Sequence, residues 1–99
     1  MILSEKQKKF LRGLAHGRHA LVLIGKEGYS DAVHKEMDSA LTAHELVKVR
    51  ARVGDREVRD ETFAQLAQAS ASILVQRIGN VGVFFRPRKE KSRIILPDD

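Results

Sequence analysis

The chain contains no cysteine among its 99 residues. This absence excludes disulfide bonds, cysteine-ligated zinc fingers and thiol catalysis, and it fits a reducing compartment. Long apolar runs are also missing, since the longest, Ala20–Ile24, is far below the roughly 18 residues that a membrane span needs. Because Met1, Ile2 and Leu3 are followed by lysines rather than by an apolar signal core, we expect a cytoplasmic protein with no membrane partner.

Basic residues outnumber acidic residues in this chain. The sequence has 13 Asp and Glu against 18 Lys and Arg, which gives a formal net charge of +5 and a pI of about 9.9. Hydrophobic residues make up 42% of the chain, too many for a disordered polymer. The length allows one hydrophobic core, so we expect a single domain over residues 1–97 and exclude large multidomain enzymes. The positive charge favours acidic partners, most commonly nucleic acid, although many basic surfaces serve only solubility.

No pattern in the sequence indicates an active site. The loop at residues 25–28 lacks the second half of GxxxxGK[ST], which argues against a nucleotide-binding P-loop, and no Ser, His and acid set indicates nucleophilic catalysis. We therefore expect no enzyme, no metal, no cofactor and no small-molecule substrate. The histidines show no HExxH spacing and have no cysteine partners; they are His16, His19, His34 and His44.

Hydrophobic periodicity predicts three helices and four strands in the order αβαβαββ, an α/β fold with one mixed four-stranded sheet. Ser4 and Gln7 have the spacing of a capping box, which predicts a first helix over residues 4–16. Gly17 suits a helix end with positive φ, and Ala20–Ile24 has the pattern of a strand buried on both faces. The first helix has an apolar side of Leu3, Phe10, Leu11 and Leu14 and a basic side of Lys8, Lys9, Arg12 and His16.

The sequence pattern in the middle of the chain predicts a helix, a half-buried strand and another helix. Ser30 or Asp31 can cap the second helix, which ends near His44. Strict alternation over residues 47–53 predicts a strand with one apolar and one strongly basic face, and the third helix spans residues 56–70. The inward positions are Val33, Met37, Ala40 and Leu41 in the second helix, Val47, Val49, Ala51 and Val53 in the strand, and Val58, Thr62, Leu66 and Ala69 in the third helix.

Two further strands, over residues 72–78 and Val81–Phe85, are separated by Gly79 and Asn80, which suit a tight hairpin turn. This pair is therefore antiparallel, whereas the helical connections between the first three strands predict that those strands are parallel. The basic segment, residues 86–99, follows. Its sequence leaves two alternatives open, a partly mobile arm or an extra edge strand.

The loop Gly25-Lys26-Glu27-Gly28 lies between a strand and a helix start, where backbone N–H groups and the helix dipole can hold a phosphate. Its glycines let a nucleic-acid strand approach the backbone closely, and Lys26 adds a charge. An isolated GxxG is also typical of an ordinary strand-to-helix turn. Tyr29 has two similar alternatives, stacking on a base or packing under the following helix.

Basic residues occur in several parts of the chain, which favours a nucleic-acid surface over a single charged end. Each group also has an ordinary explanation, as a solvated helix face, a charged open sheet face or a solvated terminus. Besides the loop, the candidate contacts are Lys8, Lys9 and Arg12 in the first helix, Lys48, Arg50 and Arg52 in the second strand, and Arg86 and Arg88 in the basic segment.

Four blocks of the sequence follow one another in order: LSEKQKKFLRGLAH, LVLIGKEGYSDAV, HELVKVRARV and LVQRIGNVGVFFRP. In this order and spacing they resemble the CRM domain, the chloroplast RNA splicing and ribosome maturation module, in its stand-alone bacterial, YhbY-like form. The resemblance covers residues 2–97. It implies a fold similar to the C-terminal domain of translation initiation factor three, RNA binding, and association with precursors of the large ribosomal subunit.

The resemblance also implies contacts with the phosphates of structured RNA, with selectivity from shape. Three positions depart from the family pattern: Tyr29 replaces a usual leucine, Asn80 a common basic residue and Phe85 a frequent tyrosine. The change at Asn80 weakens a role for the hairpin turn in RNA binding. Carried over by position, the RNA-contacting residues are Gly25, Lys26, Glu27 and Gly28 in the loop and Lys6, Lys8, Lys9 and Arg12 in the first helix.

Three functions fit these features. The leading expectation is a monomeric, non-catalytic RNA-binding protein that binds ribosomal RNA in an assembling particle. The alternative is a protein-interaction module that docks on a ribosomal or other partner protein through the exposed sheet face or the basic segment. A small hydrolase or nuclease is the third.

Overall fold

Helices cover both faces of a four-stranded sheet in a computed structural model that describes residues 1–98. The prediction for residues 86–99 includes Asp99, which lies outside the described residues. The expected α/β fold and element order are confirmed. The elements are α1 Glu5–His16, β1 Ala20–Ile24, α2 Asp31–His44, β2 Leu46–Ala51, α3 Arg56–Ala69, β3 Ile73–Ile78 and β4 Val81–Phe85.

Side-chain caps fix the start of each helix. Ser4 Oγ accepts a hydrogen bond from the Gln7 backbone N–H at 3.1 Å, and Gln7 Oε1 accepts one from the Ser4 N–H at 3.0 Å, which confirms the capping box. Ser30 caps α2 and Asp55 caps α3 through the same kind of side-chain contact. Among residues 1–98, no helix has the length and apolar character that a membrane crossing requires.

The last strand in sequence lies inside the sheet. The strand order is β1-β2-β4-β3, with β1 parallel to β2 and with β4 antiparallel to both of its neighbours. Gly79 has a φ of +58°, whereas Asn80 is not among the residues with positive φ, the combination that a type II′ hairpin turn requires. The carboxyl ends of β1, β2 and β3 therefore lie along one edge of the sheet.

Two apolar clusters lie on opposite faces of the sheet. The cluster under α2 and α3 includes Val22, Ile24, Met37, Leu41, Val47, Val49, Phe63, Leu66 and Phe84. The cluster under α1 consists of Leu3, Leu11, Ala15, Leu46, Val75, Val83 and Phe85, with Ile73, Ile94 and Leu96 packed against it. The predicted alternation is confirmed within β2, whose even-numbered residues face α1. The strand ends at Ala51 and not at residue 53, so Arg52 and Val53 lie beyond it.

The prediction that β1 is buried on both faces is wrong. Val22 and Ile24 are buried, but Leu21 and Leu23 are 48% and 62% exposed. The cause is the position of β1 at the edge of the sheet, since α1 packs on β2 and β3 and does not reach over β1. One face of β1 therefore continues an open strip of sheet beside α1.

The predicted inner face of α3 is also partly wrong. Val58 is 43% exposed and Ala69 is exposed, while Phe63 is fully buried. The Phe63 ring meets Phe84 edge to face, with the ring centroids 5.7 Å apart. A Cβ on Gly82 would come within 3.3 Å of the Phe63 ring, so the absence of a side chain at this position makes room for the ring.

Helix α1 ends at His16 with Gly17 as its cap, as predicted, but the conformation of the cap differs from the prediction. Gly17 has a φ of −89°, not a positive value. Leu11 and Ala15 are buried, whereas Phe10 and Leu14 lie at the border of the apolar cluster and are partly exposed. Positive φ values after a helix occur instead at Glu45, which follows α2, and at Ala71, which follows the Ser70 cap of α3.

The basic segment forms no fifth strand within residues 1–98, so the structure does not have the extra edge strand that was one of its two alternatives. The segment runs back towards α1. Gln7 Nε2 donates a hydrogen bond to the Pro97 carbonyl at 3.0 Å, and Ile94 and Leu96 pack against the apolar cluster under α1. Its path adds apolar cover to this face of the sheet.

Candidate nucleic-acid interface

The loop at residues 25–28 is an open turn at the carboxyl end of β1. The Gly28 N–H donates to the Gly25 carbonyl at 3.0 Å, and Gly28 has a φ of +73°, a conformation that favours glycine. Residues 25–27 are exposed. A Cβ on Gly25 would meet nothing within 4 Å, so packing inside the protein gives no reason for a glycine there.

Two other segments meet the loop at the same edge of the sheet. The Arg52 N–H donates to the Ile24 carbonyl at 2.8 Å, and the Ala51 N–H donates to the Asn80 carbonyl at 2.8 Å. The loop therefore begins beside Arg52 and close to the β3–β4 turn. Arg52 is exposed, as is Lys26 in the loop itself. This edge of the sheet combines positive charge with accessible backbone.

The basic residues of β2 lie on the face that α1 covers in part. Lys48 pairs with Val83 and Arg50 with Val81 across β4, and Val83 belongs to the cluster under α1. Arg50 is exposed, because α1 does not extend to this row of the sheet. Lys48 is half-buried, and its Nζ donates to the Arg18 carbonyl at 3.0 Å.

The four basic residues of α1 divide between two directions. Lys8 and Arg12 are half-buried on the flank that approaches the sheet, where Arg12 lines the same concavity as Lys48. Lys6 and Lys9 are exposed and border a groove next to Pro97. Arg12 thus joins α1 to the basic row of β2, whereas Lys6 and Lys9 face another direction.

Arg86 lies beside the C-terminal half of α2, whereas the loop precedes the N-terminus of this 14-residue helix. Its Nη1 donates to Asp38 Oδ1 at 2.8 Å and to the Ser70 carbonyl at 3.0 Å. Its Nη2 donates to Thr42 Oγ1 at 3.0 Å and to the Asp38 carbonyl at 3.2 Å. The Nη1 and Nη2 groups of Arg86 are therefore engaged in hydrogen bonds within the protein.

Arg88 lies at the same end of α2. Its Nε donates to the Thr42 carbonyl at 3.0 Å, and its Nη2 donates to the Ala43 carbonyl at 2.8 Å. Carbonyls at a helix C-terminus lack intrahelical partners and carry partial negative charge, which explains why a cation is stabilised there. The structure therefore does not bring Arg86 and Arg88 together with the other predicted contacts.

Tyr29 packs rather than projecting from the loop. Its ring lies against the cluster under α2 and α3, and its hydroxyl is 2.8 Å from His34 Nδ1, within hydrogen-bond distance. Of the two alternatives for Tyr29, the structure has the packed one. Glu27 is exposed. Among residues 1–98, no cluster of three or more potential metal ligands occurs.

Glu45, which was not predicted from the sequence, is a buried carboxylate that holds the basic segment. Glu45 Oε2 accepts hydrogen bonds from the Arg88 N–H at 3.0 Å and from the Ser92 hydroxyl, and Oε1 accepts one from the Arg93 N–H. Burial on its own raises the pKa of this carboxyl. The hydrogen bonds from Ser92, Arg93 and Arg88, with the charge of Arg88, outweigh burial and lower the pKa below its usual range.

Comparison with known proteins places this geometry in a family. Residues 3–86 match the family described as the CRS1 / YhbY (CRM) domain. The chain is 39% identical to an RNA-binding protein of Haemophilus influenzae, over 96% of this chain and 95% of the relative. It is 38% identical to the Bacillus subtilis protein named Probable RNA-binding protein YqeI, over 97% of this chain and 100% of the relative.

A solved structure shares the fold. The solution structure of the Staphylococcus aureus hypothetical protein SAV1595, for which RNA binding is proposed, superimposes with a TM-score of 0.84 at 38% identity. The match covers 97% of this chain and 100% of that protein.

Proposed function

We propose, since the chain belongs to the CRS1/YhbY (CRM) domain family, that it is a non-catalytic RNA-binding protein. It acts in the cytoplasm as a monomer, on precursors of the large ribosomal subunit. The loop at residues 25–28, Lys8 and Arg12 in α1, Arg50 in β2 and Arg52 just after β2 hold RNA phosphates. Lys6 and Lys9 add charge on the outer side of α1.

The observation that carries this proposal is the open, glycine-bounded loop beside Arg52. Nothing inside the protein fills the space beside Gly25. Two exposed cations adjoin it, Lys26 in the loop and Arg52 beside the end of β1, together with the exposed carboxylate of Glu27. A phosphate can approach backbone N–H groups there without meeting a Cβ. Contacts of this kind position an RNA backbone, and RNA shape rather than base sequence then supplies selectivity.

The test is Lys26→Glu with Lys89→Glu as its matched control. Both lysines are exposed and the change of charge is the same, but Lys89 lies beside Arg86 and Arg88, at the far end of α2. The dissociation constant for a structured ribosomal RNA fragment is measured over a range of salt concentrations. Lys26→Glu is expected to reduce the salt slope by roughly 0.7 to 0.9 for each phosphate that the variant no longer neutralises. Equal slopes in the two variants would contradict the proposed role of the loop.

Sucrose-gradient sedimentation of cell lysates tests the assembly role. Wild type is expected to travel with a large-subunit precursor and to return to the top of the gradient after light ribonuclease treatment. The Lys26→Glu variant is expected to remain at the top. Wild type that stays at the top at low and moderate salt contradicts the assembly role.

One observation favours protein docking as a second function. Phe10 and Leu14 are partly exposed beside Ile95, which is 81% exposed, and all three line one groove between α1 and the basic segment. A partner protein seated there predicts association that survives ribonuclease, persists in Lys26→Glu and is lost in Leu14→Asp.

A further inference from the structure

A small concavity of about 240 Å³ lies between the second half of α1 and the open rows of the sheet. Its floor is apolar and consists of Ala15, Val81 and Val83, of which Ala15 and Val83 are buried. Ile78, which is 66% exposed, forms a side wall. The volume lies below the about 300–1,000 Å³ that is usual for drug-sized ligands, so the concavity suits a smaller, flat group.

The rim of the concavity is polar and carries no carboxylate. It consists of Arg12, His16, Lys48 and Gln76. Lys48 uses one of its three N–H donors on the Arg18 carbonyl, at 3.0 Å, and keeps two. No hydrogen bond from another side chain or backbone group within residues 1–98 reaches the Gln76 amide, which can both donate and accept.

These features describe one chemical class of ligand. The apolar floor favours a flat group of low polarity, the free amide of Gln76 offers a donor and an acceptor to the edge of that group, and Arg12 and Lys48 favour negative charge beside it. A nucleobase flanked by phosphates has all three properties. Bases inside an A-form duplex are out of reach in its deep, narrow groove, but an unpaired base can turn out and present its edge.

We propose that this concavity holds the base of one unpaired nucleotide of the bound RNA. Gln76 hydrogen-bonds the edge of the base, and Arg12 and Lys48 contact the adjoining phosphates. The proposal rests on the proposed function and adds to it a site for a single base, so that a bulge or loop nucleotide, and not duplex shape alone, contributes to selectivity.

Two RNA hairpins test the proposal, one with a perfect stem and one with a single bulged nucleotide in the same stem. Wild type is expected to bind the bulged hairpin more tightly, and Gln76→Leu to reduce that preference by roughly three- to tenfold, the value of one hydrogen bond. Gln65→Leu is the matched control, because Gln65 is exposed on α3, across the sheet from the concavity.

The failures of the two proposals are distinguishable. If wild type binds neither hairpin, RNA binding itself fails. If wild type binds both hairpins equally and with a normal salt slope, or if Gln76→Leu keeps the full preference, RNA binding stands and the base site is overturned. The NMR signal of the Gln76 side-chain amide gives a second reading in the wild-type protein. It is expected to shift with the bulged hairpin only, and an equal shift with both hairpins overturns the site.

Discussion

The Glu45 carboxylate accepts a hydrogen bond of 2.8 Å from the backbone N–H of Arg93, 48 positions further along the chain. Glu45 is 1% exposed, and its backbone carbonyl also accepts from the Arg86 N–H at 2.8 Å. The residue therefore joins the turn after α2 to residues 86–93 of the segment that leaves β4. A buried carboxylate with several N–H and O–H donors is well satisfied, and removal of the carboxylate leaves those donors unpaired.

Glu45→Ala is expected to lower the free energy of unfolding by about 1–3 kcal/mol, the cost of leaving buried donors unsatisfied. Urea unfolding measures this change. Hydrogen exchange at residues 88–96 is expected to accelerate more than exchange in β4, because the segment loses its attachment before the sheet does. Glu27→Ala, at an exposed loop position, is the control. Equal stability of the two variants would contradict the role of Glu45.

The stability contributed by Glu45 is expected to depend on pH. Because hydrogen bonding lowers the pKa of the folded-state carboxyl, its contribution is fully present above the unfolded-state pKa and is lost as the pH falls through the lowered folded-state pKa. Glu45→Gln carries no titrating group. The difference in unfolding free energy between wild type and Glu45→Gln should therefore be largest near neutral pH and shrink in acid. A difference that stays constant down to strongly acidic pH would refute this linkage.

Alanine at the two loop glycines should separate strain from ligand contact. Gly28→Ala places a side chain at a φ of +73° and is expected to cost about 1–2 kcal/mol of stability. Gly25→Ala meets open space and no positive φ, so stability should change by less than about 0.5 kcal/mol. RNA affinity should nevertheless fall in Gly25→Ala, as measured by titration with a structured fragment. Unchanged affinity would show that no ligand approaches the backbone there.

Alanine substitutions at Gly82 and at Gly13 should change the stability of the protein in opposite directions. A Cβ on Gly82 would lie 2.9 Å from the Phe84 ring, so Gly82→Ala is expected to destabilise the protein by about 1–3 kcal/mol. Gly13 is exposed within α1, and an added Cβ there meets nothing within 4 Å. Gly13→Ala is expected to stabilise by about 0.5–1 kcal/mol. Thermal unfolding of both variants checks the signs, and a stabilised Gly82→Ala would be inconsistent with the packing described.

Arg86 and Arg50 should separate stability from RNA binding. Arg86→Ala removes hydrogen bonds to Asp38, Thr42 and Ser70 and is expected to lower stability by about 1–3 kcal/mol, with little effect on the RNA salt slope. Arg50 is exposed on the open row of the sheet, so Arg50→Ala should reduce the salt slope and leave stability nearly unchanged. The reverse pattern would indicate that RNA binds at the far end of α2 and not at the row of Arg50.

Local patterns predicted the elements, because capping residues and periodicity are properties of neighbouring positions. Ser4 with Gln7 fixed the start of α1, and alternation identified β2. The errors arose where the burial of a residue depends on an element that is distant in the sequence. The exposure of Leu23 depends on where α1 ends its crossing of the sheet, and the burial of Phe63 depends on the space left by Gly82, more than a dozen positions away.

The candidate site was predictable to a similar extent. The loop at residues 25–28 was found from its glycines. The separation of Arg86 and Arg88 from the loop depends on their hydrogen bonds to the end of α2, and no spacing in the sequence signals those contacts. Glu45 gave no signal either, since a single acidic residue before an apolar strand is more often solvated than buried.

The place of β4 between β2 and β3 has a consequence for biosynthesis. The central pairing of the sheet needs residues 81–85, so a nascent chain can form at most the β1–β2 part of the sheet until those residues leave the ribosome. Such late, non-local pairing slows folding and exposes unpaired strands in incomplete chains. The row in which Arg50 lies opposite Val81 exists only after that step. A product truncated before β4 therefore lacks the Arg50 row of the proposed RNA surface, and only a chain synthesised through β4 presents that surface in full.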